Sequence, residues 1–273
     1  MNYHYLNVGC GGSFIDDELW LNLDYAPITA KVTQANLLGK FPCPDSSIKL
    51  VYSSHFIEHI PYEKVAGFLQ ECYRVLQKEG MIRLVLPDLE NICREYLKCR
   101  DHGEHEKADF CIIELLDQCV RTESGGRLGK YWQVLKQNPQ ESKAMIEYVK
   151  YRTGEDILNC HQNQSIPRIN FFRKVQRKII HKFQSARINF LTRLLPSAFR
   201  EQNVSFTTIG EKHAWMWDFY SLSNQLNAVG FKEISRVTFD TTGINGFPLI
   251  PLDMNADGSP RKGYSSLYVE ARK

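Results

Sequence analysis

Several things are missing from this sequence, and each absence removes a class of function. No stretch of the 273 residues reaches the roughly 18 consecutive apolar residues that a membrane-crossing helix needs. No basic amino-terminal region runs into an apolar stretch, so no secretory signal is expected and a cytoplasmic protein is. The eight cysteines, at positions 10, 43, 72, 93, 99, 111, 119 and 160, include no C-x-x-C pair. This argues against a zinc ribbon and a dithiol redox site, and the thiols are expected to be free, packing as small apolar groups. There is no G-x-x-x-x-G-K-[ST], so a P-loop is unsupported, and no aromatic stacking platform points to nucleic acid. One long interval, between Asp156 and Glu201, has no acidic residue at all. What remains is a chain with 43% hydrophobic residues and a net charge of +3, enough for one sizeable core or one domain plus an insertion.

The most informative stretch lies near the start. Tyr5-Leu6-Asn7-Val8 enters Gly9-Cys10-Gly11-Gly12, and Trp20-Leu21-Asn22-Leu23-Asp24 follows. This reads as strand, tight turn, short connection, strand. The glycines let the backbone turn sharply and approach a ligand closely. Asp24, ending the second strand, is placed to accept hydrogen bonds from a ribose. The dinucleotide fingerprint G-x-G-x-x-G, with an acid about 20 residues on, is not met, because the pattern is G-x-G-G and Asp24 comes too early. On glycine spacing alone the stretch also fits a structural turn of another α/β domain.

Residues 5–90 alternate strand and helix signals, which predicts a parallel α/β sheet. Strands are expected at Tyr5–Val8, Trp20–Asp24, about Lys31–Ala35, Ile48–Ser53 and Met81–Leu86. A helix covers Val65 to Leu76 and stops at Lys78-Glu79-Gly80. Residues 90–211 lack strand-like alternation. Helices are expected at Leu89–Leu97, Lys107–Cys119 and Ser142–Tyr151, separated by polar loops such as Thr122-Glu123-Ser124-Gly125-Gly126. The boundaries predict a sheet domain of residues 1–90 and 212–273 with a helical insertion, 91–211, as a lid over the cleft. A helix over Trp217–Val229 ending on Gly230, a strand at Phe231–Phe239 and a last strand at Ser266–Ala271 close the pattern.

The acid-free interval carries Arg168, Arg173, Lys174, Arg177, Lys178, Lys182, Arg187, Arg193 and Arg200. Apolar residues from Phe171 to Leu194 are interleaved at near-helical spacing, a basic amphipathic pattern. Three readings stay open for residues 168–193: a solvated lid face, peripheral contact with an anionic membrane at its inner face, or a grip on a phosphate-bearing acceptor.

VGCGG, NLD, FPCPDSSIKLVYSSHFIEHI, ECYRVLQKEGMIRLVLPDL, HAWMWDFYSLSNQLNAVGF and SLYVEARK, in this order and spacing, resemble the class I S-adenosylmethionine-dependent methyltransferases, methyltransferase type 11 group. Within that group the chain looks most like enzymes associated with polysaccharide and glycan biosynthesis. The resemblance implies an α/β fold, Rossmann-like, with a seven-stranded, mostly parallel sheet and an antiparallel last strand. It also implies S-adenosylmethionine as cofactor, with Gly9, Cys10 and Gly11 at its methionine part, Asp24 on the ribose and Tyr25 beside the adenine. Asn36-Leu37 stands where the group often has Asp-Leu, so the adenine contact keeps an acceptor and loses a charge. Ser54 and His55 would line the cleft near the methyl group. The short Gly12-to-Trp20 gap suits a ligand without a pyrophosphate, which has less need of a helix amino terminus.

Transfer to a hydroxyl needs alignment and a base, a role that histidine suits. His59 and His55 are the first candidates, Asp88 could orient the acceptor or a histidine, and His213 with Trp215 and Asp218 forms a second cluster. His55-Phe56-Ile57-Glu58-His59 also spells H-x-x-E-H, a zinc-hydrolase string that requires a helix. Here it follows a strand directly and meets Pro61, so no metal is expected. The acceptor is expected to be a small-molecule or glycan hydroxyl, lipid- or nucleotide-linked. An N- or C-methyltransferase and an inactive donor-binding module are the alternatives.

Overall fold

A computed structural model describes residues 3–159, 187, 191–192, 194–207 and 210–273. Nearly all of the basic amphipathic segment predicted at 168–193 lies outside these residues.

Seven strands form one sheet: β1 Tyr5–Val8, β2 Trp20–Asp24, β3 Thr33–Gln34, β4 Ile48–Ser54, β5 Leu76–Pro87, β6 Lys232–Val237 and β7 Ser266–Arg272. Their order is β3-β2-β1-β4-β5-β7-β6. The pairs among β1 to β5 are parallel, and β7 runs antiparallel to both neighbours. The chain winds outward from β1 to β3, then returns to lay β4 on the other side of β1. That reversal opens a crevice at the carboxyl ends of β1 and β4, where open α/β sheets bind ligands.

The central strands are buried on both sides, as parallel strands require. Leu6, Val8, Val51, Leu84 and Leu86 face one core, and Leu50, Tyr52 and Val85 face another. Helix α1 (Tyr62–Val75) covers the first face because Val65, Phe68, Leu69, Cys72 and Val75 fall on one helical stripe. After α1 come α2 (Leu89–Asp101), α3 (His105–Val120), α4 (Gly126–Gln137), α5 (Lys143–Thr153), α6 (Ser197–Asn203) and α7 (Phe219–Val229). Helix α7 packs beside α1, adding Leu222 and Leu226 to the same core. Phe247 and Leu252, from the segment before β7, seal the opposite face. The region between β5 and α7 builds a separate apolar cluster around Phe110, Leu135, Met145 and Val149.

Three expectations need correction. The helix before β5 does not run to Lys78; it ends at Val75, and β5 begins at Leu76. Leu76 is fully buried and pairs with Ile48, and the register then shifts before Leu50 meets Met81. Glu79 takes a positive φ within this irregularity. Thr122–Gly126 was expected to be only a loop, yet Gly126 begins α4. Asp117 accepts from the Arg127 and Leu128 N–H groups, satisfying that helix start from a distance the sequence does not show. The late helix starts at Phe219, with Asp218 as its N-cap in a capping box with Ser221.

Candidate active site

Among the described residues, most of the candidate site residues lie at the carboxyl ends of strands. Gly9 follows β1 with φ +69°, and a Cβ there would sit 2.6 Å from ring carbons of Phe56. Phe56 in turn packs edge-on against Phe68 of α1. Gly9→Ala is therefore expected to cost about 2–4 kcal/mol from the combined backbone strain and overpacking. Thermal unfolding would read this as a fall on the order of 5–10 °C. Adding Phe56→Leu should restore only the steric part; full recovery would show that the left-handed backbone carries no cost.

Gly11, also at positive φ, has no atom within 4 Å of where a Cβ would stand, so the turn faces open space. Its N–H donates to Asp24 Oδ2 at 2.8 Å, and the Ala26 N–H donates to Oδ1 at 2.8 Å. Asp24 thus braces the glycine turn. Each carboxylate oxygen keeps a further lone pair for a ligand. Tyr25 beside it is exposed. Cys10 is buried, and burial, with Asp24 adding to it, pushes its thiol up to about 12. It is a neutral packing group at pH 7. No helix occupies residues 13–19. Instead, Asn7 Nδ2 donates to the Ser13 carbonyl and Asn22 Nδ2 to the Ile15 carbonyl, fastening the connection to the sheet. At β3's end, Asn36 Oδ1 accepts from the Leu38 N–H, and Leu37 is buried in the core beneath.

Across the crevice, β4 ends at Ser54, whose Oγ is buried. His55 follows with φ +51°, its N–H held by the Val85 carbonyl at 2.7 Å. The kink turns the chain into a 3-10 turn, Ile57–His59, rather than an α-helix. The H-x-x-E-H string therefore does not place its two histidines on one helical face. What converges is different: Glu58, 1% exposed, sits between His55 Nδ1 at 3.4 Å and His59 Nε2 at 3.9 Å. Neither carboxyl oxygen has a hydrogen-bond partner. Burial raises Glu58 to about 8 and lowers both His55 and His59, His55 the more strongly.

Hydrogen bonds set the tautomers. His59 Nδ1 lies 2.8 Å from the Lys212 carbonyl, which only accepts, so Nδ1 carries the hydrogen and Nε2 the lone pair. Ser266 Oγ donates its single hydrogen to the Lys262 carbonyl, so it accepts from His55 Nε2, 3.1 Å away. That leaves the His55 Nδ1 lone pair facing Glu58.

His213 joins from the far side of the sequence. Its ring meets His59 edge-on with centroids 4.9 Å apart, its Nδ1 is buried without a partner, and burial takes it down to about 3. Its N–H donates to the Gln118 carbonyl of α3, while Ala214 and Trp215 N–H groups donate to the Glu58 carbonyl. Helix α3 and the segment 213–215 thereby close onto the strand-end cluster.

Two expected site residues are committed elsewhere. Asp88 is 1% exposed, caps α2 by accepting from the Glu90 N–H, and pairs with Arg236. What separates it from Asp24, whose oxygens are also each bonded once, is burial: closed off from solvent, Asp88 holds the β5–α2 junction and does not meet an incoming acceptor. Asp218, grouped with His213 and Trp215 in the sequence, caps α7 in a capping box with Ser221. Sequence reasoning missed Glu58 as the centre of the cluster. Its three-residue spacing from His55 was the available signal, and it was read only as part of a zinc-hydrolase string.

A small pocket lined by Tyr5, Trp20, Leu50 and Phe247 lies at the other ends of the strands, away from this chemistry.

Residues 6–84 match the family described as Methyltransferase domain. Among curated proteins, none matches the chain. Solved structures similar to it include a SAM-dependent methyltransferase from Archaeoglobus fulgidus, 12% identical over 99% of this chain and 86% of that one, with a TM-score of 0.41. Another is a possible histamine N-methyltransferase from Thermotoga maritima, 12% identical over 99% and 82%, TM-score 0.37. A third, phosphoethanolamine N-methyltransferase 1 from Haemonchus contortus with phosphoethanolamine and S-adenosylhomocysteine, is 15% identical over 32% and 23%, TM-score 0.28. Likenesses this distant do not select an acceptor. The open glycine turn, the half-exposed Asp24 with lone pairs to spare and the exposed Tyr25 fit the donor that such a domain takes. Over residues 6–84, then, the chain is similar to a methyltransferase domain.

Proposed function

We propose that the protein transfers the methyl group of S-adenosylmethionine to a hydroxyl of a sugar or other small molecule, one linked to a lipid or a nucleotide. The observation that carries this reading is the pair of imidazole lone pairs, His59 Nε2 and His55 Nδ1, converging on Glu58 beside the glycine turn. When bound, the cofactor supplies an electrophilic methyl group and leaves as S-adenosylhomocysteine. Gly9, Gly11 and Asp24 bind it at the β1 and β2 ends, with Tyr25, Asn36 and Ser54 around it. A hydroxyl is a poor nucleophile until its proton leaves, and a histidine nitrogen at the β4 end is placed to take that proton. Amines that are already free bases need no such group. His55 and His59 side chains are 26% and 18% exposed, so an acceptor reaches them.

The basic residues of 168–193 support an acceptor carrying phosphate, or one presented at an anionic membrane surface. Among the described residues no helix is long and apolar enough to cross a membrane, so contact would be peripheral. The test is release of S-adenosylhomocysteine with three acceptor sets: nucleotide-linked sugars in solution, lipid-linked sugars in vesicles containing anionic lipid, and amines. Release with a hydroxyl acceptor is expected. Release with amines alone would replace this reading by an N-methyltransferase, and donor binding without release would make the protein a binding module.

A further inference from the structure

The strand-end cluster contains an arrangement that methyl transfer by itself does not require. We infer that Glu58, His59 and His213 form a binding site for a divalent transition metal, zinc foremost. One ligand atom from each residue lies within 4.8 Å of the other two. They come to one point from two elements: Glu58 and His59 from the turn after β4, His213 from the segment leading to α7.

The unsatisfied atoms argue for an occupant. Both Glu58 carboxyl oxygens and His213 Nδ1 are buried without a hydrogen-bond partner. Buried polar atoms are nearly always paired, and a bound ion is among the few explanations when several orphaned ones face each other. The surroundings are also those of a ligand set. The Lys212 carbonyl holds His59 Nδ1, which fixes the ring and leaves Nε2 as the donor, as outer partners of metal-bound histidines do. The backbone of the His213 segment is tied to the carbonyl of Glu58 by the Ala214 and Trp215 N–H groups, so the three ligands are braced together.

Two imidazoles and one carboxylate suit zinc and its first-row neighbours. Magnesium and calcium prefer all-oxygen shells. Zinc bonds of about 2.0–2.2 Å would set ligand atoms roughly 3.3–3.5 Å apart, so small side-chain rotations draw the trio in. Three protein ligands leave a fourth position for water or an acceptor hydroxyl, the composition of a catalytic rather than a structural zinc site. Two cations lie nearby. Arg121 is neutralised by Asp117. Lys262 is the competitor: its charge reaches Glu58, and burial lowers its pKa. The site differs from the metal-free expectation drawn from the sequence, because the third ligand lies 154 positions beyond His59 in the chain.

With His59 Nε2 on the metal, the proton-accepting role falls to His55 Nδ1, which is not a ligand; the inference itself concerns metal binding and does not depend on the acceptor, so it is tested without turnover. Metal-stripped full-length protein is titrated with Zn²⁺ by calorimetry, and with Co²⁺ by visible absorption. One saturable equivalent is expected, with a cobalt spectrum of nitrogen and oxygen ligands and no thiolate charge-transfer band. His213→Ala and Glu58→Gln should each weaken zinc at least 10-fold, while Lys262→Met should bind it at least as tightly. If a buried substitution prevents folding, His59→Gln at the partly exposed ring serves in its place. No saturable binding, a thiolate spectrum, or unchanged affinity in the ligand variants would overturn the site. S-Adenosylmethionine titrated into the same samples reports the donor site separately, so loss of one reading leaves the other intact.

Discussion

Asp24→Ala is expected to weaken S-adenosylmethionine about 100-fold while the protein stays folded. The carboxylate does two things at once. It accepts from the Gly11 and Ala26 N–H groups at 2.8 Å each, fixing the glycine turn, and in the proposed site its remaining lone pairs would accept from the ribose hydroxyls. Hydrogen bonds to a charged group are worth about 1.5–3 kcal/mol each, and every 1.4 kcal/mol is tenfold in affinity. Losing the ribose contacts and loosening the turn together put the effect near two decades. Asp24 lies at a half-exposed strand end, so its removal does not open the core. Asp24→Asn should fall between, because one amide position can no longer accept. Calorimetric titration with the donor, checked by circular dichroism, reads both; a variant that binds like the wild type would remove Asp24 from the donor site.

The largest effect on stability is expected at Arg83→Met. Arg83 is fully buried in mid-sheet, with Nε on Asp253 Oδ2 at 2.7 Å and Nη1 on Glu270 Oε1 at 2.6 Å. It also donates to the Thr238 and Thr241 carbonyls, and its guanidinium lies near the Phe247 and Tyr268 rings. Methionine fills part of the volume but leaves two buried carboxylates with no cation. Breaking such a network costs about 3–5 kcal/mol, which thermal unfolding would show as a fall on the order of 10 °C. The deficit should depend on pH. Burial already raises Asp253, and Arg83 opposes that shift. Without Arg83 the folded-state pKa climbs further above the unfolded value near 3.9. The unfolded chain then releases its proton first, so the penalty grows as pH rises from about 4 and shrinks on acidification. A melting-temperature gap that stayed constant from pH 5 to 8 would contradict this account.

Local sequence was a good guide where the physics is local. The apolar runs at Tyr5–Val8, Trp20–Asp24 and Ile48–Ser54 are strands because burial on both faces demands continuous apolar residues, and they can be read directly. Gly9 and Gly11 marked their turn because few other residues tolerate positive φ. The end of α1 was misjudged because Lys78-Glu79-Gly80 looks like a helix stop, while the deciding contact, Leu76 on Ile48, is between distant residues. Helix α4 was missed because its start is satisfied by Asp117, a residue of another helix.

The candidate site divides in the same way. The glycine turn, Asp24 and the histidines after β4 were visible in the sequence, since a strand end is set by the few residues around it. Their roles were not. Asp88 looked like an acceptor residue until Arg236, remote in sequence, was found on its carboxylate. Glu58 looked like one letter of a motif until burial and His213 made it the centre of the cluster. By itself, the sequence determined the strands and the glycine turn, and marked Asp24 at the end of β2, because backbone conformation and apolar pattern act over a few residues. Only the tertiary structure decided which carboxylates are committed to ion pairs and caps and which stand unanswered. Partner and burial are properties of neighbours in space, and here those neighbours are more than a hundred residues apart along the chain.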